Sequence, residues 1–233
     1  MQNCCHHQHG HAQCVRLVPI FNHLEDHQMD MIGESARTLH LQKGEMLFRA
    51  GEEDDTLYII NSGKVRIYHL SDSGKEQLVR ILNPGDFTGE VAIFQPESVH
   101  DNYAEALQST SICLIKQDDL QKYLLQYPQI ALKILSEVTM RLNNSEKQTT
   151  QVAIENVESR IISFLAENVE EGSGNSPTVT LPMSKKDLAS YLGTTPETIS
   201  RRFTSLEQHG LIEQLRKNKI KIPDLDQLLL HGE

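Results

Sequence analysis

The sequence predicts an α+β chain in three parts: an N-terminal β-roll of jelly-roll type, a long helix, and a C-terminal winged helix-turn-helix domain. Three observations carry that prediction. Residues 38–115 hold short apolar runs separated by glycine-containing turns, the pattern of a closed antiparallel architecture. From Pro128 the apolar residues change to helical spacing and keep it to about Asn168. Between Met183 and Ile222 two capped helices flank a glycine turn, and a basic hairpin follows.

Residues 1–17 form a polar arm rich in histidine and cysteine, unlike a secretory h-region. No apolar run approaches the roughly 18 residues of a membrane span, so the expected protein has no membrane partner and a cytoplasmic location. The β-roll is expected over residues 18–127. Its strands are Leu39–Leu41, Leu57–Ile60, Val65–His69, Leu78–Leu82, Ala104–Ala106 and Ser111–Ile115, with turns at Lys43-Gly44, Asn61-Ser62-Gly63, Ser71–Gly74 and Asn83–Asp86.

Residues 128–157 are expected to form a dimerisation helix. With Leu135 and Leu142 at heptad position a, Ala131, Val138, Ser145 and Val152 fall at d, and Thr149 and Asn156 at a. Such a seam between two domains is most simply a homodimer coiled coil through Leu135, Val138, Leu142, Thr149 and Val152. Its middle, polar at Ser145 and Thr149, is the weak part.

Residues 158–233 are expected to form the winged helix-turn-helix domain. Ser184 caps its first helix, with Asp187 three residues on, and Leu188, Ala189, Tyr191 and Leu192 supply the apolar face. Gly193 allows the turn. Thr195 caps the second helix and Pro196 takes its first position, where a missing N–H costs nothing. Ile199, Phe203 and Leu206 share the buried face, which leaves Glu197, Ser200 and Arg201 for base edges. Lys185, Lys186, Thr195, Arg202, Lys217 and Lys219 are placed for the DNA backbone. Leu211-Ile212 and Ile220–Ile222 are expected as strands around the wing turn Arg216–Lys219, and the leucines after Pro223 as a cap on the domain. The whole chain of 233 residues carries a net charge of −10, yet Ser184–Ile222 holds eight cations and four anions. Local charge decides phosphate contact, so double-stranded DNA remains the expected partner.

This order of parts resembles the cyclic-AMP receptor protein/FNR family of bacterial transcription regulators. The most specific motifs are Tyr191-Leu192-Gly193 followed by Glu197-Thr198-Ile199-Ser200-Arg201, and Gly85-Asp86 followed by Gly89-Glu90. The resemblance implies a cyclic-nucleotide-binding-like sensor domain, RNA polymerase as a further partner, and a TTGA-type half-site, since Pro196 stands where the cyclic-AMP branch has an arginine. Cyclic-nucleotide binders follow Gly-Glu after about ten residues with Arg-Ser or Arg-Thr. Here His100-Asp101 follows, and a carboxylate at the phosphate site repels the ligand, so cyclic AMP is not expected to bind.

Cys4, Cys5 and Cys14 lie in the arm and Cys113 in the last strand. The resemblance implies two readings for them, and the residues themselves offer a third. An iron–sulfur cluster would use all four, although the arm lacks the compact spacing of FNR. A thiol–disulfide switch between an arm cysteine and Cys113 is implied by the likeness of Cys14–Phe21 to FNR-like proteins of lactic acid bacteria. A Zn²⁺ or Cu⁺ site would add His6, His7, His9 and His11. A disordered tail and a merely buried Cys113 are the plain alternative.

The competing class is a cupin-like metalloenzyme or another small-ligand-binding β-roll protein. A cupin site needs a His-x-His pair and a nearby Glu on strands, whereas His40, His69 and His100 stand singly in the roll. No nucleophile-elbow, P-loop or paired-carboxylate motif occurs. The expected protein is not an enzyme.

Overall fold

The computed structural model describes residues 10–95, 97–170 and 174–232, with side chains from Cys14 onward. The chain divides into two units, Met1–Lys75 with Val79–Arg141, and Glu76–Leu78 with Leu142–Glu233.

The first unit begins with α1 (Gly10–Leu17) and α2 (Asp26–Ser35). Eight strands follow: β1 (Arg37–Leu41), β2 (Met46–Phe48), β3 (Thr56–Ser62), β4 (Val65–Leu70), β5 (Glu76–Leu82), β6 (Phe87–Thr88), β7 (Tyr103–Ala106) and β8 (Thr110–Lys116). They form two four-stranded sheets, ordered β1-β8-β3-β6 and β2-β7-β4-β5, so the α+β prediction with a β-roll holds. All six expected strands are present. Strands β2 and β6 were not expected; three and two residues are too few to display alternation.

Strand β3 shows why the roll has a third layer. Thr56–Ile60 is buried throughout, so both faces of the strand are covered. Tyr58 and Ile60 join Phe48, Ile67, Ala104 and Ile112 in the core between the sheets. Leu57 and Ile59 face the other way and pack with Cys14, Val15, Val18, Ile20 and Phe21 of the N-terminal segment, Leu120 of α4 (Gln117–Gln126), and Ile130 and Ile134 of α5 (Gln129–Ile154). The arm is therefore part of the core from Cys14 on, with Cys14, Val15, Val18, Ile20 and Phe21 fully buried. Each of the larger apolar side chains contributes about 1.5–3 kcal/mol by that burial.

Helix α5 is amphipathic in a way that divides its duties. Ile130 and Ile134 are buried, while Leu135 (61% exposed), Val138 (36%), Leu142 (56%) and Val152 (41%) stay open. The hydroxyl of Thr149 donates to the Ser145 carbonyl at 2.8 Å. The helix stops at Ile154. The side chain of Asn156 accepts from the N–H groups of Glu158 and Ser159 and so caps α6 (Val157–Glu167). The heptad position expected at Asn156 is thus an N-cap, the commoner use of an asparagine before a helix.

The second unit continues with β9 (Thr178–Thr180), α7 (Lys185–Tyr191), α8 (Pro196–Gln208), β10 (Glu213–Gln214), β11 (Lys219–Lys221) and α9 (Leu225–Gly232). The sheet order is β10-β11-β9. The first wing strand lies two residues later than expected. Leu211 donates its N–H to the Leu206 carbonyl and closes α8, and Leu211 and Ile212 are buried as core residues. Of the leucines after Pro223, only Leu228 is buried; Leu230 is 71% exposed. Among the described residues no helix is long and apolar enough to cross a membrane.

Candidate nucleic-acid interface, roll cavity and disulfide

The reading helix is set by local chemistry. Ser184 Oγ accepts from the Asp187 N–H at 3.1 Å and donates to Asp187 Oδ2 at 2.6 Å, which starts α7. Gly193 has φ +67°, a left-handed turn residue that a side chain would strain. Thr195 Oγ1 then accepts from the Thr198 N–H at 3.2 Å, and Pro196 opens α8. Ile199, Phe203 and Leu206 are fully buried. Opposite them, Glu197, Ser200 and Arg201 are exposed together with Thr204, one stripe at i, i+3, i+4 and i+7. Thr204 was missed in the sequence, although its spacing from Glu197 was enough to find it.

The basic residues differ in their freedom. The Arg201 side chain takes part in no hydrogen bond or ion pair among the described residues. Lys186, Lys217 and Lys219 are exposed. The ammonium of Lys185 donates to Gln214 Oε1 and lies 5.1 Å over the Phe203 ring. Arg202 Nη1 pairs with Glu158 Oε2 at 3.1 Å. The wing tip carries two left-handed residues in succession, Lys217 (φ 61°) and Asn218 (φ 57°). Such left-handed backbone closes a tight turn, with Lys217 at the point of the wing between β10 and β11.

Inside the roll lies a cavity of about 240 Å³ lined by residues including Phe48, Asp54, Arg80, Thr88, Glu90 and His100. Gly89 (φ +87°) leads into it, and a Cβ there would collide with the Thr56 carbonyl oxygen. Glu90 Oε1 accepts from Arg141 of α5 at 2.8 Å and from Arg80 at 3.4 Å. The Arg141 guanidinium also lies 4.2 Å over the Phe87 ring and donates to the Phe87 carbonyl at 3.1 Å. His100 stacks flat on Phe48 at 3.6 Å, and its Nε2 lies 2.9 Å from Asp54 Oδ2. Asp101 is exposed. The spacing rule found no arginine after Glu90. The structure supplies one from β5, where Arg80 interrupts an apolar strand. It donates to Thr88 Oγ1 at 3.1 Å, and burial pulls its pKa down while Glu90 opposes that. Glu90 and Arg80 are thus engaged with each other.

Cys14 and Cys113 are joined by a disulfide with Cα atoms 6.4 Å apart and a sequence separation of 99. Both are fully buried. Cys113 sits mid-sheet, opposite Thr38 of β1 and Ile59 of β3, and faces the layer that holds α1 and the start of α5. Cys4, Cys5, His6, His7 and His9 lie outside the described residues, as does the side chain of His11. Among the described residues no group of three or more His, Cys, Asp or Glu is placed to hold a metal ion. Two of the four expected cluster ligands are consumed by their own bond, so the described residues do not fit a cluster or a soft-metal site.

A sensor-type roll, a long helix with an open apolar face and a winged helix-turn-helix together define the class: a DNA-binding regulator. Residues 38–127 match the model of the cyclic nucleotide-binding domain, and residues 159–230 that of the Crp-like helix-turn-helix domain. The chain is 33% identical over 204 residues to a probable transcriptional regulator, flp, of Lacticaseibacillus casei, covering 88% of this chain and 91% of that protein. It is 32% identical to the transcriptional activator protein Anr of Pseudomonas protegens, over 84% of this chain and 80% of the relative. Among solved structures it is similar to FixK2 of Bradyrhizobium japonicum, with a TM-score of 0.70 and 26% identity, covering 83% of this chain and 95% of that one. The chain belongs to the cyclic-AMP receptor protein/FNR family of transcription regulators. The family consists of regulators, not enzymes, and the cupin-like and small-ligand-binding β-roll alternatives are not favoured.

Proposed function

We propose that this protein is a homodimeric regulator that binds a two-fold symmetric, TTGA-type site and whose DNA affinity is set by the redox state of the Cys14–Cys113 pair. The observation that carries the proposal is the buried disulfide itself, because Cys14 and Cys113 share one core cluster with Ile130 and Ile134 of the long helix. Reduction adds two electrons and two protons and breaks the S–S bond by exchange with a cellular dithiol, which becomes the new disulfide. The core under α5 then loses the cross-link that holds the arm against it. A small free-energy change at that helix shifts the population of DNA-competent dimers.

Dimerisation is supported by the open apolar stripe Leu135, Val138, Leu142 and Val152, since each reading helix needs its own half-site about one helical turn from the other. Arg201 addresses a guanine through O6 and N7, Glu197 accepts from cytosine N4 or adenine N6, and Ser200 contacts the neighbouring base. Lys186, Lys217 and Lys219 contact phosphates, and RNA polymerase is the partner through which the bound dimer acts on transcription. Cyclic AMP is not the signal. His100 is stacked on Phe48 and paired with Asp54, Glu90 is engaged by two arginines, and calorimetry should record no binding heat.

The deciding experiment compares DNA affinity of oxidised and dithiol-reduced protein for wild type and Cys113→Ser. Wild type should respond and the variant should not. A variant that responds like wild type would sink the redox reading.

A further inference from the structure

We infer that Glu158 is a built-in counter-anion that withholds Arg202 from DNA phosphates, and so sets the ratio of specific to non-specific binding. The inference rests on the DNA-binding reading above. It concerns the two adjacent arginines of α8, which the protein treats differently. Arg201 is left unpaired among the described residues on the exposed stripe. The Arg202 guanidinium, 50% exposed, is drawn aside to Glu158 Oε2 at 3.1 Å. The other carboxylate oxygen lies 3.0 Å from Nε2 of His231 on α9, so both oxygens of Glu158 are occupied from different elements. The backbone N–H of Glu158 donates to the capping oxygen of Asn156 at 2.9 Å, which fixes the turn that presents the carboxylate.

A guanidinium fork binds a carboxylate and a phosphate through the same donors, so the two compete for it. A loose arginine beside the reading stripe would add attraction to any duplex, because phosphates carry no sequence information. Holding it on Glu158 leaves recognition to the stripe. The pair is half open to water, so the tie is weak. Its loss is expected to change affinity by up to about fivefold per half-site, enough to tune DNA binding without blocking it.

The test is the salt dependence of binding to a specific and a random duplex, measured on full-length protein. In Glu158→Gln, non-specific affinity should rise by up to about fivefold per half-site, and the slope of log K against log salt should steepen by about 0.9 per half-site. The specific-to-random ratio should fall. Arg202→Gln alone should leave the wild-type slope unchanged, and the double variant should return to it. A double variant that keeps the steeper slope would show that charge removal, not release of Arg202, is the cause, and would overturn the inference. So would a Glu158→Gln protein, folded by thermal melt, with the wild-type slope. If Glu158→Gln does not fold, Arg202→Gln decides: an unchanged slope supports withholding, and a flatter one shows that Arg202 already touches phosphate. Wild type that binds every sequence alike would overturn the regulator reading itself, an outcome separable from these slopes.

Discussion

Reduction of the Cys14–Cys113 bond, or Cys113→Ser, should lower the stability of the roll by an amount set mainly by chain entropy. The bond closes a loop with a sequence separation of 99. Loop-closure entropy for about 100 residues corresponds to ~4.7 kcal/mol at 25 °C. A compact denatured state recovers part of this, so a loss of about 2–4 kcal/mol is the expected measurement. In a chain of this size each kcal/mol moves Tm by about 2–4 °C, which gives a downward shift of roughly 5–15 °C. The assay is a thermal melt of oxidised and dithiol-treated protein beside Cys14→Ser and Cys113→Ser, with non-reducing peptide mapping to establish which cysteines are paired. Since serine also introduces buried hydroxyls, the reductant-treated wild type is the cleaner arm. Equal Tm values with and without dithiol, or a map that joins Cys113 to Cys4 or Cys5, would refute the reasoning.

Val138→Glu with Leu142→Lys should give monomers in sedimentation, together with poor DNA binding; unchanged dimers would remove α5 as the interface. Arg201→Ala should cost about 1–3 kcal/mol in binding and relax preference at one base pair, whereas Lys217→Ala should weaken all sequences alike and flatten the salt dependence; selected sites without a TTGA core would contradict the assignment. His23 offers a pH test. Its ring nitrogens are buried without a hydrogen-bond partner among the described residues, and burial, with Lys133 nearby, lowers its pKa. The unfolded chain therefore takes up the proton first, so stability present at neutral pH should be lost as pH falls below about 6.5. Urea denaturation should show that decline, and His23→Gln should reduce it; an identical acid limb in the variant would clear His23 of the effect.

What could be read from the sequence depended on whether the signal was periodic. Helix α8 was legible because caps, a proline at the first position and three apolar residues at helical spacing all agree. The longer strands were legible for the same reason. The docking of the arm was legible only through the family resemblance, which implied a bond between an arm cysteine and Cys113. Nothing in the order of residues Gly10–Leu17 announces that Cys14 and Val15 become fully buried, because the faces that cover them come from β3 and β8, far along the chain. Arg80 was not legible from spacing, because the arginine reaches the cavity from the strand before Glu90 and not from a fixed distance after it. A charge in the apolar run Leu78–Leu82 was nevertheless a visible anomaly. Asn156 was legible and misassigned: the same residue fits a heptad seam and a helix cap, and only the end of the helix at Ile154 decides. The pairing of Arg202 with Glu158 lies 44 residues apart in sequence and left no trace there.

The depth of the disulfide also governs time. With Cys14 and Cys113 wholly inside the core, no dithiol can reach a sulfur until the segment carrying Cys14 lifts away from the sheet. Thiol–disulfide exchange is then preceded by a local opening, and at high reductant concentration the opening, not the chemistry, sets the rate. Under the proposed redox control, brief pulses of reductant should pass without effect, and only a sustained change in the surroundings should be registered. Measured reduction should accordingly plateau as dithiol concentration rises, and a rate that stays proportional to dithiol throughout the accessible range would mean that the bond is reached without such opening. On the proposed redox reading, the buried position of one sulfur pair would make the protein an integrator of its redox surroundings, with a response time set by the packing of Val15, Val18, Ile20 and Phe21.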